Sequence, residues 1–260
     1  MENKVVLHAE ELSVGYKIRN KYDCVLGSIN LTLERGKLIA MVGANGVGKS
    51  TLIRTLTGIQ MPLEGQIFVN QKNIKQFDSL ALAKEMSLVL TEKLPPSNLT
   101  VYELIALGRQ PYTNWIGNLS PFDRQKIDKA IHLTQTQNLL QKRHYEISDG
   151  QLQIVMIARA LAQDTELIVL DEPTTHLDLQ HKVSLFKLLQ KLSHEAGKCI
   201  LFSTHDIDMA IQLSDEIIVI SKGKCIQDQP CNLISDGVFT DLFDDKSITF
   251  DATKGKFIIT

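Results

Sequence analysis

Leu38-Ile39-Ala40-Met41-Val42-Gly43-Ala44-Asn45-Gly46-Val47-Gly48-Lys49-Ser50-Thr51 begins as an apolar strand, passes through a glycine-rich loop and enters a helix. The loop satisfies G-x-x-x-x-G-K-[ST], with Gly43, Gly48, Lys49 and Ser50 in the defining positions. Glycines at 43, 46 and 48 let the backbone turn its N–H groups inward and leave space for phosphate oxygens. The following helix presents the partial positive charge of its N-terminus to the same anion. A Lys at 49 reaches the β- and γ-phosphates, and a hydroxyl at 50 ligates Mg²⁺. Leu52, Ile53 and Leu56 continue at helical spacing until Gly58 stops the helix. Gly43, Asn45, Gly46, Gly48, Lys49, Ser50 and Thr51 are therefore candidate nucleotide ligands, with Mg²⁺ beside the phosphates.

The whole chain, 260 residues, is large enough for one sizeable α/β domain or two small ones. Its 43% hydrophobic and 22% charged residues are those of an ordinary globular protein. A net charge of -2 argues against a polycation that holds nucleic acid. No apolar run approaches the roughly 20 residues of a membrane-spanning helix. The first residues carry no charged-then-apolar secretion signal. Cys24, Cys199, Cys225 and Cys231 are scattered without a C-x-x-C pair, which suits free thiols in a reducing cytoplasm better than disulfides or zinc.

Val5–Leu7 and Leu12–Tyr16 read as two short strands, and Ile29–Leu33 as a third that alternates like a half-buried strand. With Gln66–Val69 they predict an antiparallel layer beside a mainly parallel sheet. Helical patterns then dominate from about Leu80 to Leu161. One helix covers Val101–Leu107. Another starts at Ser120, where Pro121 suits the first helical position and Asp123 the first turn, and a third runs from about Gly150 to Ala162. Leu167–Leu170 is a buried strand; Leu179–His194 is a helix with Val183, Phe186, Leu189 and Leu192 on its apolar face. Strand Cys199–Ser203, helix Ile207–Leu213, strand Glu216–Ile220 and a hairpin turn at Ser221–Lys224 follow, and the tail ends in a second hairpin. The fold class is α/β: a P-loop, RecA-like core of mainly parallel sheet with an antiparallel β layer, an inserted helical subdomain and a short C-terminal β extension.

Leu167-Ile168-Val169-Leu170-Asp171-Glu172 would deliver two carboxylates to the C-terminal edge of the sheet, where open α/β sheets bind ligands. Asp171 suits a partner of Mg²⁺, and Glu172 a base for an attacking water. Further on, Ile147-Ser148-Asp149-Gly150-Gln151 precedes a helix, so that Ser148 and the N–H of Gly150 form a second anion cradle. With these residues the chain resembles the ATP-binding subunits of ABC transporters over nearly its whole length. Their signature is L-S-G-G-Q; here Ser148, Gly150 and Gln151 are kept, Ile147 replaces Leu, and Asp149 replaces the first Gly. The resemblance implies that this cradle binds the γ-phosphate of ATP held by a second subunit, in a head-to-tail homodimer. A carboxylate at 149 would repel that phosphate unless it points away or caps the helix. The implied division is a core of about 1–85 and 162–228, a helical subdomain of about 86–161 and an extension of about 229–260.

The resemblance assigns further roles. Tyr16 fits the aromatic that stacks on adenine, Asp178 the loop that crosses the dimer interface, and His205 the switch histidine that joins Lys49 and Glu172 in catalysis. The family has a Gln on Mg²⁺ after the strand that enters the helical subdomain. Here Ser87-Leu88-Val89-Leu90-Thr91-Glu92 contains none; Glu92 is the best occupant, and Thr91 competes because the segment is about one residue short. Within the family, Leu99–Arg109 followed by Gln110–Trp115 is similar to importers of iron chelates, haem and cobalamin. The implied partners are an integral-membrane permease, docked beside Thr91–Leu107, and indirectly an external substrate-binding protein, without nucleic acid. The implied location is the cytoplasmic face of the membrane. An ABC-type ATPase untied to transport, in metal-cluster assembly or a scaffold, would share every catalytic motif and is the rival reading.

Overall fold

Every residue of the strand Leu38–Gly43 is buried, so this strand must be covered on both faces, and the two sets of neighbours that cover it define the architecture. The computed structural model describes residues 4–19, 21–90, 94–95, 97–175, 177–240, 242 and 247–259. Strands β1 (Val5–Ile18) and β2 (Lys21–Glu34) form a long antiparallel hairpin, and β3 (Leu38–Gly43) leads into helix α1 (Lys49–Leu56). Strands β4 (Glu64–Val69) and β5 (Lys72–Asn73) complete a four-stranded antiparallel sheet in the order β2-β1-β4-β5. Helix α2 (Ser79–Glu85) then enters β6 (Met86–Val89), followed by α3 (Val101–Ala106), α4 (Pro121–Thr134) and α5 (Asp149–Ala162). Beyond them come β7 (Leu167–Leu170), α6 (Leu179–His194), β8 (Cys199–Ser203), α7 (Ile207–Leu213), β9 (Glu216–Ser221) and β10 (Lys224–Asp228). The chain closes with α8 (Pro230–Ser235) and the hairpin β11 (Ile248–Asp251) and β12 (Lys256–Ile259).

The second sheet has the order β10-β9-β3-β8-β7-β6, parallel except for its edge strand β10. Its strands alternate between two cores, as the two-residue period of a strand requires. Leu38, Ala40 and Val42 of β3 pack with Ile168 and Leu170 of β7 and Ile200 and Phe202 of β8 against the helices. Ile39 and Met41 pack with Leu167, Val169 and Leu201 against α1 and the antiparallel sheet. The molecule is thus layered helix, parallel sheet, antiparallel sheet, and the C-terminal ends of β3, β7 and β8 emerge together.

Three local expectations need correction. Residues 5–18 form one strand, not two: the pairing shifts register between Ala9 and Leu12, and the bulge puts Glu11 at φ 45°. Asn30 takes up the Glu11 N–H (2.9 Å) and so closes the break that the sequence suggested. The helix after Thr100 ends at Ala106 and tightens into a 3₁₀ segment, Leu107–Tyr112. On α6 the inward stripe is Leu185, Phe186, Leu189 and Leu192, whereas Val183 is 36% exposed.

Gly108 and Arg109 explain why that 3₁₀ segment seats where it does. A Cβ at Gly108 would lie 2.2 Å from the Arg159 carbonyl oxygen, so only glycine allows the segment so close to α5. Arg109 is 2% exposed; its Nε donates to Asp123 Oδ1 (2.8 Å) and its Nη1 to the carbonyls of Ala162 (2.9 Å) and Gln163 (3.2 Å). Burial works to raise the Asp123 carboxyl, but the Ser120 hydroxyl and N–H, with the Arg109 guanidinium, hold it below the usual carboxylate range. Removing one partner of a buried pair strands the other, so Asp123→Asn is expected to cost about 3 kcal/mol or more. At roughly 2–4 °C per kcal/mol this lowers Tm by roughly 6–12 °C. Because the folded carboxyl titrates lower than the unfolded one, its contribution is present above about pH 4 and is lost as the pH falls through the folded value. A Tm–pH profile should therefore show a shallower acid limb in the variant, and an unchanged limb and Tm would refute the latch.

Candidate functional site

Strand β3 ends at Gly43 because the next residues cannot stay in the sheet: Gly46 and Gly48 take φ of 76° and 111°, in the left-handed region. At Gly48 a Cβ would stand 2.7 Å from Val25 Cγ1, so the requirement for glycine is steric as well as conformational. Gly48 is the N-cap of α1 without any side-chain cap bond, which leaves the first N–H groups of the helix aimed at the loop. Asn45, Gly46, Gly48, Lys49, Ser50 and Thr51 line a cleft of about 300 Å³, together with Tyr16, Val25 and Glu172. Gly43 does not line the cleft; its carbonyl instead accepts from Lys49 Nζ (2.9 Å), as does that of Ala44 (3.1 Å). Burial pushes the Lys49 ammonium below the usual lysine range, and the Glu172 and Asp171 carboxylates act in the opposite direction.

Tyr16 stands on the rim, 44% exposed, with its hydroxyl 3.0 Å from Thr51 Oγ1. The Gly15 carbonyl beside it accepts from Gln60 Nε2, so the end of the α1 segment anchors the strand that carries the ring.

Strand β7 delivers the carboxylates. Asp171 is buried, its N–H donates to the Val89 carbonyl (2.8 Å), and Ser50 Oγ lies 3.4 Å from its Oδ1. Glu172 follows at φ 48°. An ionised carboxylate only accepts, so His205 Nε2 carries the hydrogen in its 2.6 Å contact with Glu172 Oε1. Thr175 Oγ1 donates to Glu172 Oε2 (3.3 Å). The neighbouring Asp206 is tied to Lys182 of α6 (2.8 Å), which fixes the loop bearing His205. Lys49, Ser50, Asp171, Glu172 and His205, distant in sequence, therefore meet at one sheet edge.

Ser148, Gly150, Gln151 and Asp178 do not line that cleft. Ser148 caps α5 in a reciprocal box with Gln151: Gln151 N–H donates to Ser148 Oγ (3.3 Å), and Ser148 N–H to Gln151 Oε1 (3.1 Å). Asp149 is thus the first helical residue rather than the cap, and it is exposed. Asp178 caps α6, accepting from His181 N–H (2.8 Å). Glu92 and its competitor Thr91 lie outside the described residues.

Sequence reasoning passed over Ser203, Thr175, Gln60 and Arg109 as individuals. For Ser203 a signal existed: a lone hydroxyl ending the apolar run Cys199–Phe202. Gln60 and Thr175 offered none, because each matters through a contact that only the fold creates. The four cysteines stand as free thiols; Cys199 is buried and its thiol pushed up by desolvation, and burial pushes that of Cys225 up to about 12.

The profile of the ABC transporter family matches residues 26–175. The chain is 39% identical to an uncharacterized ABC transporter ATP-binding protein of Methanocaldococcus jannaschii, MJ0873, over 97% of this chain and 86% of that one. It is 36% identical to the iron(3+)-hydroxamate import ATP-binding protein FhuC of Bacillus subtilis, over 85% of this chain and 81% of that one. Among solved structures, the dimeric post-hydrolysis state of the ATP-binding cassette MJ0796 with ADP and Pi superposes with a TM-score of 0.74 at 26% identity. That match covers 86% of this chain and 98% of the other.

Proposed function

This chain belongs to the ATP-binding subunits of ABC transporters and is an ATPase, and from there we propose that two copies close head to tail around two ATP molecules to drive import of an iron chelate. The observation that carries the pairing is the separation of two anion cradles on one chain. Lys49 and the N-terminus of α1 face the cleft, while the capped N-terminus of α5, with Ser148, Gly150 and Gln151, lies outside it. A second copy turned end for end would bring its α5 cradle to the γ-phosphate held by Lys49, with Asp178 of each copy in the crossing loop.

Within each site, the adenine would stack on the half-exposed ring of Tyr16. The β- and γ-phosphates would take the loop N–H groups and Lys49. Ser50 and Asp171 offer only oxygen ligands at 3.4 Å from each other, which suits a hard cation, and they would hold Mg²⁺. Bound there, Mg²⁺ would offset charge on the phosphates. Glu172 would accept a proton from water as the water oxygen bonds to the γ-phosphorus. The bond from phosphorus to the bridging oxygen breaks, ADP leaves with that electron pair, and inorganic phosphate is the second product. His205, now on Glu172, would turn its Nε2–H toward the γ-phosphate.

The load is a membrane permease. Among the described residues no helix is long and apolar enough to cross a membrane. A groove of about 590 Å³ beside α3, lined in part by Leu80, Tyr102, Leu107, Trp115 and Ile116, supports docking of the permease's cytoplasmic helices, and Trp115 is 94% exposed. The chain would then sit peripherally on the cytoplasmic face, touching an external binding protein only through the permease. Residues of about 86–161 would act as the lever on a motor of about 1–85 and 162–228, with about 229–260 appended. The iron-chelate cargo is supported by the likeness to the hydroxamate importer subunit.

Sedimentation of the Glu172→Gln chain tests the pairing. ATP should convert it from monomer to dimer, and adding Ser148→Arg should keep it monomeric while ATP still binds. A Glu172→Gln chain that stays monomeric with ATP, even beside its permease, would leave only a nucleotide-binding ATPase.

A further inference from the structure

Ser203 ends β8 with its hydroxyl fully buried, between two groups that the chemistry above uses separately. It donates to Asp171 Oδ1 (2.7 Å) and accepts the Glu172 N–H (2.8 Å). The directions are forced: a backbone N–H only donates, a carboxylate only accepts, and a hydroxyl has a single hydrogen. Register explains the meeting. Strands β7 and β8 run parallel with Leu170 opposite Phe202, so Asp171 and Ser203 are the next pair, just where the ladder ends. One oxygen thus spans the gap between the strand tips.

Both contacts act where the backbone and charge most need holding. Glu172 sits at φ 48°, a conformation that residues with a Cβ rarely adopt, and the Ser203 hydroxyl receives its N–H there. Among the described residues, the Asp171 carboxylate takes hydrogen bonds only from Ser203 and, more distantly, Ser50. A cation at Ser50 would take a lone pair of that serine's oxygen, leaving its hydrogen for the longer contact with Asp171. Ser203 makes the shorter of the two bonds and so sets how the carboxylate is turned.

We propose that Ser203 is a positioning residue for ATP hydrolysis, orienting Asp171 toward the metal side and holding the Glu172 turn that aims its carboxylate at the cleft. This rests on the roles given above to Asp171 and Glu172. A hydroxyl that merely satisfied a buried N–H would affect stability alone, whereas a positioning hydroxyl affects turnover and metal response in a chain that stays folded.

The experiment compares Ser203→Ala with Ser203→Thr. For the alanine variant, kcat should fall about tenfold while KM for ATP stays within about twofold, since the phosphate and adenine contacts are untouched. Equilibrium binding of a fluorescent ATP analogue, titrated with Mg²⁺, should need roughly threefold to tenfold more Mg²⁺ at the midpoint, a readout independent of turnover. Threonine keeps the hydroxyl and should recover both values to within about twofold of wild type. A folded alanine variant with wild-type kcat and Mg²⁺ midpoint would overturn the proposal. So would a threonine variant as impaired as alanine, because volume and not the hydroxyl would then matter. Should alanine fail to fold, Ser203→Cys, similar in size but a weak donor, takes the same two measurements against threonine. Failure of both alanine and cysteine to fold would assign the hydroxyl to architecture and also overturn it. Failure of the underlying reading shows elsewhere, as full-rate hydrolysis by Glu172→Gln.

Discussion

Glu172→Gln should bind ATP within about threefold of wild-type affinity and hydrolyse it slower by roughly two to four orders of magnitude, the usual worth of a placed general base. At about 1.4 kcal/mol per tenfold, that is roughly 3–6 kcal/mol of lost transition-state stabilisation. The substitution isolates basicity from shape. A glutamine keeps one oxygen to accept from His205 Nε2 and places an NH2 donor where Oε2 stood; the Thr175 hydroxyl accepts as well as donates, so it can turn to receive that hydrogen and the loop can stay in place. The backbone contact to Ser203 involves only the N–H of residue 172 and is untouched. Single-turnover hydrolysis with excess protein, beside calorimetric titration of ATP, separates the two effects. Turnover at the wild-type rate would remove Glu172 from the role of base; a parallel loss of binding would mean that it serves the nucleotide rather than the water.

Lys49→Ala has the second large consequence, and here binding fails first. The ammonium is buried, hydrogen-bonded to the carbonyls of Gly43 and Ala44, and faced by two carboxylates. Without it, a triphosphate entering the cleft meets Asp171 and Glu172 with no side-chain cation between. Truncating one partner of a buried, hydrogen-bonded charge pair typically costs about 2–5 kcal/mol, so ATP affinity should drop roughly thirtyfold or more. Lys49→Arg should recover little, since a planar guanidinium cannot place a compact charge where Nζ now sits. Equilibrium binding of a fluorescent ATP analogue checks this, with adenosine as control: it carries no phosphate and should bind both chains alike. Undiminished ATP affinity in the alanine variant would count against the cradle.

What was legible in the sequence is what short-range physics decides. Leu38–Gly43 and Leu167–Leu170 read as buried strands because an unbroken apolar run can be satisfied only inside a sheet covered on both faces. Helices starting after Ser120, Ser148 and Asp178 could be placed because an N-cap is a bond between residues two or three apart. The phosphate loop belongs to the same class, since its glycines answer to their own backbone angles.

Where the expectations failed, the deciding contact came from another part of the chain. The break seen near residues 8–11 vanished because Asn30, nineteen residues away, bonds the Glu11 bulge. Spacing puts Val183 inward, yet Leu185 is the residue that is buried there, beside Phe186, whose ring packs edge-on against Phe202. Arg109 read as one member of a similarity motif, and only the closure of α4 and α5 around it made it a buried ion pair. Side-chain type and local spacing are carried by the chain itself; the meeting of Lys49, Asp171, Glu172 and His205, and the Ser203 hydroxyl between two of them, required parallel strands whose tips end side by side. That alignment is a property of the packed sheet, because parallel neighbours are joined through long crossovers and no local interaction encodes which strand lies next to which.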